Sequence, residues 1–174
     1  MAAFTIDISS PFPSGFTRPI GKPRSGGHHG PHWYIEFGMD MGAAAGTEVR
    51  AAFDGHITKF FPHDPHQDTP KVFGAQIFVR SVNDMMGGFY THITDVPSEI
   101  RAGADISRGD LLGKVHPGHG SPHLHMALVE IIGGAPNGRY KGVDIFSQLL
   151  AIANTSTVKH VTFNQDGTTP TVAP

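Results

Sequence analysis

Glycine and proline interrupt this chain at short intervals, with 22 glycines and 14 prolines in 174 residues. Glycine weakens a helix through backbone entropy, and proline removes a donor and clashes with the preceding turn. Few stretches remain in which a long helix could form. Between the breaks lie short apolar-rich runs, many with the alternation of a half-buried strand, such as Ala75-Gln76-Ile77-Phe78-Val79-Arg80. The mostly apolar segment from His123 to Ile132 is expected to be a further strand. Only Val143 to Ala153 has near-helical spacing, through Val143, Phe146, Leu149 and Leu150. The expectation is an all-β, antiparallel single domain (a sheet or sandwich) with long loops and one short C-terminal helix.

Punctuation also suggests an organisation. Residues 1–32 read as an irregular N-terminal arm ending in a His/Gly loop, 33–154 as the β domain, and 155–174 as a C-terminal strand and tail. Asp54-Gly55 between two apolar runs signals a hairpin. Gly87-Gly88 is expected to turn the 75–80 strand into Phe89-Tyr90-Thr91-His92-Ile93, and Ser107 to Asp110 to form another turn.

Composition excludes several functions. A formal net charge of −2 with no basic stripe argues against nucleic-acid binding, which needs clustered Lys and Arg. No apolar run approaches the ~20 residues of a membrane span. The N-terminus lacks the basic start and apolar stretch of a secretory signal. Cysteine is absent, so disulfides and thiolate metal sites are excluded, and His, Asp and Glu remain as strong ligands.

His123-Leu124-His125 is where chemistry is expected. Residues two apart on a strand share a face, so both imidazoles can converge on one small volume. Glu36 and Asp40 add carboxylate oxygens that could complete a metal shell, and His92 lies upstream on another strand-like run.

The order of segments resembles a known family, the lysostaphin-type (LytM-like) zinc endopeptidases that hydrolyse bacterial peptidoglycan. The resemblance runs from about Ile35 to Ile132. It is carried by Glu36-Phe37-Gly38-Met39-Asp40, by Gly46-Thr47-Glu48-Val49-Arg50-Ala51 with Asp54-Gly55, and by Tyr90-Thr91-His92-Ile93. It continues in Ile106-Ser107-Arg108-Gly109-Asp110-Leu111-Leu112-Gly113 and Ser121-Pro122-His123-Leu124-His125.

The resemblance implies that Asp40 and His125 are metal ligands and that His92 and His123 assist catalysis beside them. It also implies one divalent ion, most simply zinc, a peptide or peptidoglycan substrate, and a cell-wall, periplasmic or extracellular setting. One position departs from the pattern. The family's first ligand is a histidine four residues before the aspartate, and Glu36 stands there. A Glu36/Asp40/His125 set would neutralise the ion, weaken it as a Lewis acid and favour manganese or calcium. Alternatively His32, or His29, swings in to replace the missing imidazole. Tyr90, His116 and His119 are candidates for the substrate groove, and the aromatics Trp33, Tyr34, Phe60 and Phe61 for its wall. His63 and His66 are expected to face solvent. Because of Glu36, a rival reading is a catalytically inactive module that keeps the fold and binds a glycan, peptide or protein.

Overall fold

The computed structural model describes residues 2–118 and 120–174. In chain order the elements are β1 (Phe4–Ser9), β2 (Phe16–Gly21), α1 (Trp33–Glu36), β3 (Met39–Ala43), β4 (Glu48–Arg50), β5 (Gly55–Phe61), β6 (Ala75–Ser81) and β7 (Met86–Thr94). They continue with β8 (Asp105–Ile106), β9 (Leu111–Val115), β10 (His123–Ile132), β11 (Arg139–Val143), α2 (Phe146–Ile152), β12 (Val158–Phe163) and β13 (Thr171–Ala173). The main sheet runs β2-β3-β10-β7-β6-β5-β8, with β11 also on β10, and β9 bridging β7 and β4. A separate sheet has the order β1-β12-β13. The strand pairings among the described residues are antiparallel. The all-β expectation holds, with one addition: α1, a single helical turn, joins the expected C-terminal helix.

Strand β10 sits centrally, flanked by β3 and β7, and is buried from Leu124 to Ile131. Its two faces do different work. Leu124, Met126 and Leu128 enter the core with Met39 and Met41 of β3, Tyr90 of β7, and Phe146, Leu149 and Ile152 of α2. Each fully buried Leu or Met side chain contributes roughly 1.5–3 kcal/mol through the area removed from water. His123 and His125, at the alternate positions, point to the opposite face.

Three local expectations are corrected. Asp54-Gly55 does not close a hairpin: β4 pairs with β9 and β5 with β6 and β8. The intervening Ala51, Ala52 and Phe53 are fully buried, so the chain dives through the core there instead of reversing. Gly87 and Gly88 lie inside β7, and the reversal falls just before it, where Asp84 takes φ 59°. A Cβ at Gly88 would stand 2.8 Å from Phe53 ring carbons, so this glycine serves packing and not turning. The N-terminal arm is not irregular throughout. Phe4, Ile6 and Ile8 alternate along β1, which pairs with β12, and the Phe4 and Phe163 rings stack at 5.2 Å. Strand β2 adds an edge to the main sheet beside β3.

Candidate metal centre

Three adjacent strands set the centre. Asp40 of β3 lies directly opposite His125 of β10, which on its other side lies opposite Thr91 of β7. Because Asp40 sits between the fully buried Met39 and Met41, strand alternation turns its carboxylate to the face that carries His125. Gly38 leaves room for the ring: a Cβ there would overlap His125, with Nε2 only 2.8 Å away.

His92 reaches the same face by another device. Strict alternation from the core-facing Tyr90 would bury His92 on the core side. The β6–β7 register shifts between Ala75↔Ile93 and Gln76↔Thr91, leaving His92 as the extra residue of a bulge with φ 67°. A bulge re-aims a side chain in this way. The His92 ring comes within 4.9 Å of the His123 ring and 5.9 Å of the His125 ring, centroid to centroid.

The final imidazole comes from the loop after β2. His28 N donates to the Ser25 carbonyl (2.8 Å), curling the Ser25-Gly26-Gly27-His28 segment over the sheet. His28 is buried at 7% exposure, with Nε2 3.1 Å from Asp40 Oδ2.

The hydrogen bonds on the far side of each ring determine what faces the centre. A backbone carbonyl only accepts, so the ring nitrogen against it carries the proton. His28 Nδ1–H donates to Lys22 O (2.9 Å), His92 Nδ1–H to Phe73 O (3.1 Å), His123 Nδ1–H to Ser121 O (2.8 Å), and His125 Nε2–H to Tyr34 O (2.7 Å). In the neutral rings, the remaining nitrogens are bare lone pairs. Those of His28 and His125 stand 3.1 Å from Asp40 oxygens, and that of His123 stands 3.8 Å away. Asp40 Oδ1 is buried without a hydrogen-bond partner. Bare nitrogens aimed at bare oxygens are satisfied only by a shared proton or a shared cation. A carbonyl on the outer nitrogen of a metal-binding histidine is the usual arrangement for fixing its tautomer.

Electrostatics agree. Burial works to raise the Asp40 carboxyl, but the His125 and His28 rings outweigh it and hold the group well below the usual carboxylate range. For His28, burial works against protonation, yet the contacts with Asp40 and Lys22 O raise it above its ordinary value. His92 is pushed down to about 3, chiefly by burial and further by its histidine neighbours, against the opposing pull of Phe73 O. It is therefore a neutral imidazole.

His28, Asp40 and His125 thus form one cluster of potential ligands, each offering an atom within 4.8 Å of the others. Glu36 does not join it. Residues 33–36 coil into α1, so Glu36 is not on an extended strand leading into Asp40, and it is absent from the cavity lining. His32 is exposed and stacks on Tyr34 at 5.1 Å, and His29 is exposed. His28 is the residue that reading by motif spacing missed. Its one signal was the paired glycine at 26 and 27, which lets a histidine loop fold back.

Other expectations divide. A cavity of about 530 Å³ opens over the cluster, walled by Ile20, Tyr34, Val72, Phe73 and Phe89 with Gln76 and Thr91 on its floor. Tyr90 is not part of it: the side chain is fully buried on the core face, where its hydroxyl accepts from Ala52 N (3.0 Å). Its own ionisation is pushed up by that burial. Of the proposed walls, Tyr34 lines this cavity while Phe61 is 52% exposed and Phe60 packs against the core. His116 lies outside the lining, and His119 lies outside the described residues.

His63 is half-buried, not solvent-facing, and forms a second group with Asp68 and His116. His66 is exposed. The second group differs in its protons. His63 Nε2–H donates to Asp68 Oδ2 (2.8 Å), and Gly118 N–H donates to His116 Nδ1 (2.8 Å), which leaves the His116 proton on Nε2, 3.8 Å from the same oxygen. Protons already occupy the directions a cation would need, so this group is a hydrogen-bonded clasp.

An antiparallel sheet with two imidazoles and a carboxylate converging beside two further imidazoles defines a metallohydrolase-type architecture. The model of peptidase family M23 matches residues 24–145, well over half the chain, and the chain belongs to that family. Solved structures share the fold. The catalytic domain of the prophage-encoded M23 protein EnpA from Enterococcus faecalis, solved as a variant, is 21% identical with TM-score 0.53, covering 76% of this chain and 92% of that one. The catalytic domain of the antimicrobial peptidase lysostaphin from Staphylococcus simulans is 19% identical with TM-score 0.52, covering 79% and 90%. A zinc-containing peptidase from Vibrio cholerae is 15% identical with TM-score 0.53, covering 80% of this chain and 39% of that one. No curated protein matches the chain. No helix among the described residues is long and apolar enough to cross a membrane.

Proposed function

We propose that this protein is a metal-dependent endopeptidase that cleaves short peptide bridges or stems of peptidoglycan. The observation that carries the reading is the proton pattern: four imidazoles are tied outward to backbone carbonyls, the bare nitrogens of His28, His123 and His125 face the Asp40 carboxylate, and its buried Oδ1, against His125, has no hydrogen-bond partner. His28, Asp40 and His125 would hold one divalent ion, most simply zinc. Two neutral imidazoles and one carboxylate leave that ion a net positive charge, which acidifies a bound water and polarises a carbonyl. Manganese and calcium, suggested by a Glu36 ligand, lose their motive once His28 supplies a nitrogen instead.

The chain's own groups then divide the work. His92, buried and neutral, accepts a hydrogen bond from water at its bare Nε2 and so orients it. His123 is less buried, and its Nε2 takes the proton of the attacking water and returns it to the departing amine as the peptide C–N bond breaks. The apolar walls at Ile20, Val72, Phe73 and Phe89 exclude water and suit an extended peptide of small residues. A cell-wall, periplasmic or extracellular setting follows from such a substrate.

Two measurements test this. Purified protein should carry about one metal ion per chain and cleave pentaglycine or peptidoglycan, and His28→Ala should lose both properties. Protein without affinity for zinc, manganese or calcium would end the reading. One tightly held ion without cleavage of any peptidoglycan would instead favour a binding module.

A further inference from the structure

We propose that Asp68 is a positioning residue for His92, acting through the single peptide unit that joins Phe73 to Gly74. The inference rests on the endopeptidase reading for its kinetic consequence, but its geometry stands apart from it. Gly74 N–H donates to Asp68 Oδ1 at 3.1 Å, and the carbonyl at the other end of that peptide, Phe73 O, accepts from His92 Nδ1–H at 3.1 Å. A carboxylate is therefore coupled to a catalytic imidazole through one polarisable amide. A negative charge at the N–H end increases the electron density on the carbonyl oxygen, and hydrogen bonds in such a chain strengthen one another, by ~10–30% each. This has the sense of a direct Asp–His pair: it keeps the proton on Nδ1 and the lone pair on Nε2, aimed at the site.

The surroundings hold the relay in place. The Phe73 ring is buried and stacks on the His92 ring at 3.9 Å with 13° between planes. Gly74 adopts φ 76°, and a Cβ there would lie 2.8 Å from Ile93 N and 2.9 Å from Ile93 O, so only glycine brings this peptide so close to β7. Asp68 Oδ2 is fixed by His63 Nε2–H at 2.8 Å, and Thr69 N donates to Val72 O (2.7 Å), closing the loop between them. His92 itself sits at φ 67°, a conformation that persists only when neighbours over-determine it.

The test uses the full metal-loaded chain with Asp68→Ala, Gly74→Ala and Phe73→Leu, and Phe73→Tyr as the conservative control. Long-range ¹⁵N–¹H correlation of the imidazoles reports the His92 tautomer directly. The parent and Phe73→Tyr are expected to show Nδ1–H alone, and Asp68→Ala and Gly74→Ala a mixture. With a pentaglycine substrate, kcat should fall about tenfold in those two, with KM within about twofold of the parent and metal content unchanged, whereas Phe73→Leu, which also alters the cavity wall, should lose kcat and raise KM. A pure Nδ1–H tautomer and parental kcat in folded Asp68→Ala would overturn the proposal. Should that variant fail to fold, the same result in Gly74→Ala would do so. If the parent cleaves nothing, the endopeptidase reading fails while the tautomer measurement still decides the relay.

Discussion

Nε2 of His28 lies 3.1 Å from Oδ2 of Asp40, although the segment between them holds a loop, a helical turn and no motif that joins the two. The contact replaces the expected partnership of Asp40 with Glu36 and restores a set of two imidazoles and one carboxylate.

Substitution distinguishes the two positions. His28→Ala should weaken zinc affinity by ~100-fold or more, the upper end of what loss of even an outer-shell partner costs. Glu36→Gln should leave affinity within a few-fold of the parent. Competition with a chelating dye measures both, and the reverse ranking would return Glu36 to the site.

The apo protein should respond to pH in opposite senses at two rings. His92 in the folded state is pushed down to about 3, below its ordinary value near 6.5, so the unfolded chain binds the extra proton first. Its contribution is present above about 6.5 and lost as pH falls toward 3, on the order of a few kcal/mol in all. His28 is raised, so its contribution is full below about 6.5 and fades as pH rises through its folded value. Comparing Tm between pH 5 and 7 for the parent and His92→Leu, both with chelator, should show a flatter acid limb in the variant.

Gly38→Ala places a methyl group against the His125 ring. The ring must shift off Asp40, so metal content should fall while circular dichroism keeps the β signature. A destabilisation of roughly 1–3 kcal/mol by denaturant titration is expected from overpacking.

Tyr90→Phe removes the acceptor of the buried Ala52 N–H. Stability should drop by about 1–3 kcal/mol, the cost of leaving a buried donor unsatisfied. Because Tyr90 points away from the cavity, kcat and KM of the folded, metal-loaded variant should match the parent. A selective loss of kcat would place Tyr90 in the groove after all.

How far the residues alone revealed the site depended on whether the determinant was local. The strand from His123 to Ile132 was legible to the residue, because a mostly apolar run is a property of neighbours. The helix near 146–152 was legible for the same reason. The Asp54-Gly55 hairpin was not, since turn chemistry there competes with burial of Ala51, Ala52 and Phe53, and burial is decided by strands distant in sequence. Gly87 and Gly88 read as a turn because the Phe53 ring that requires them arrives from another element.

Residue order alone is enough to put His123 and His125 on one face, through the two-residue period of a strand, and to keep helices few, through the glycine and proline breaks. The meeting of these rings with Asp40 and with further imidazoles depends on strand register and loop closure. His28 arrives by closure of a glycine loop, and His92 by a bulge that reverses its parity. Both are set by non-local packing, which no spacing of residues along the chain records.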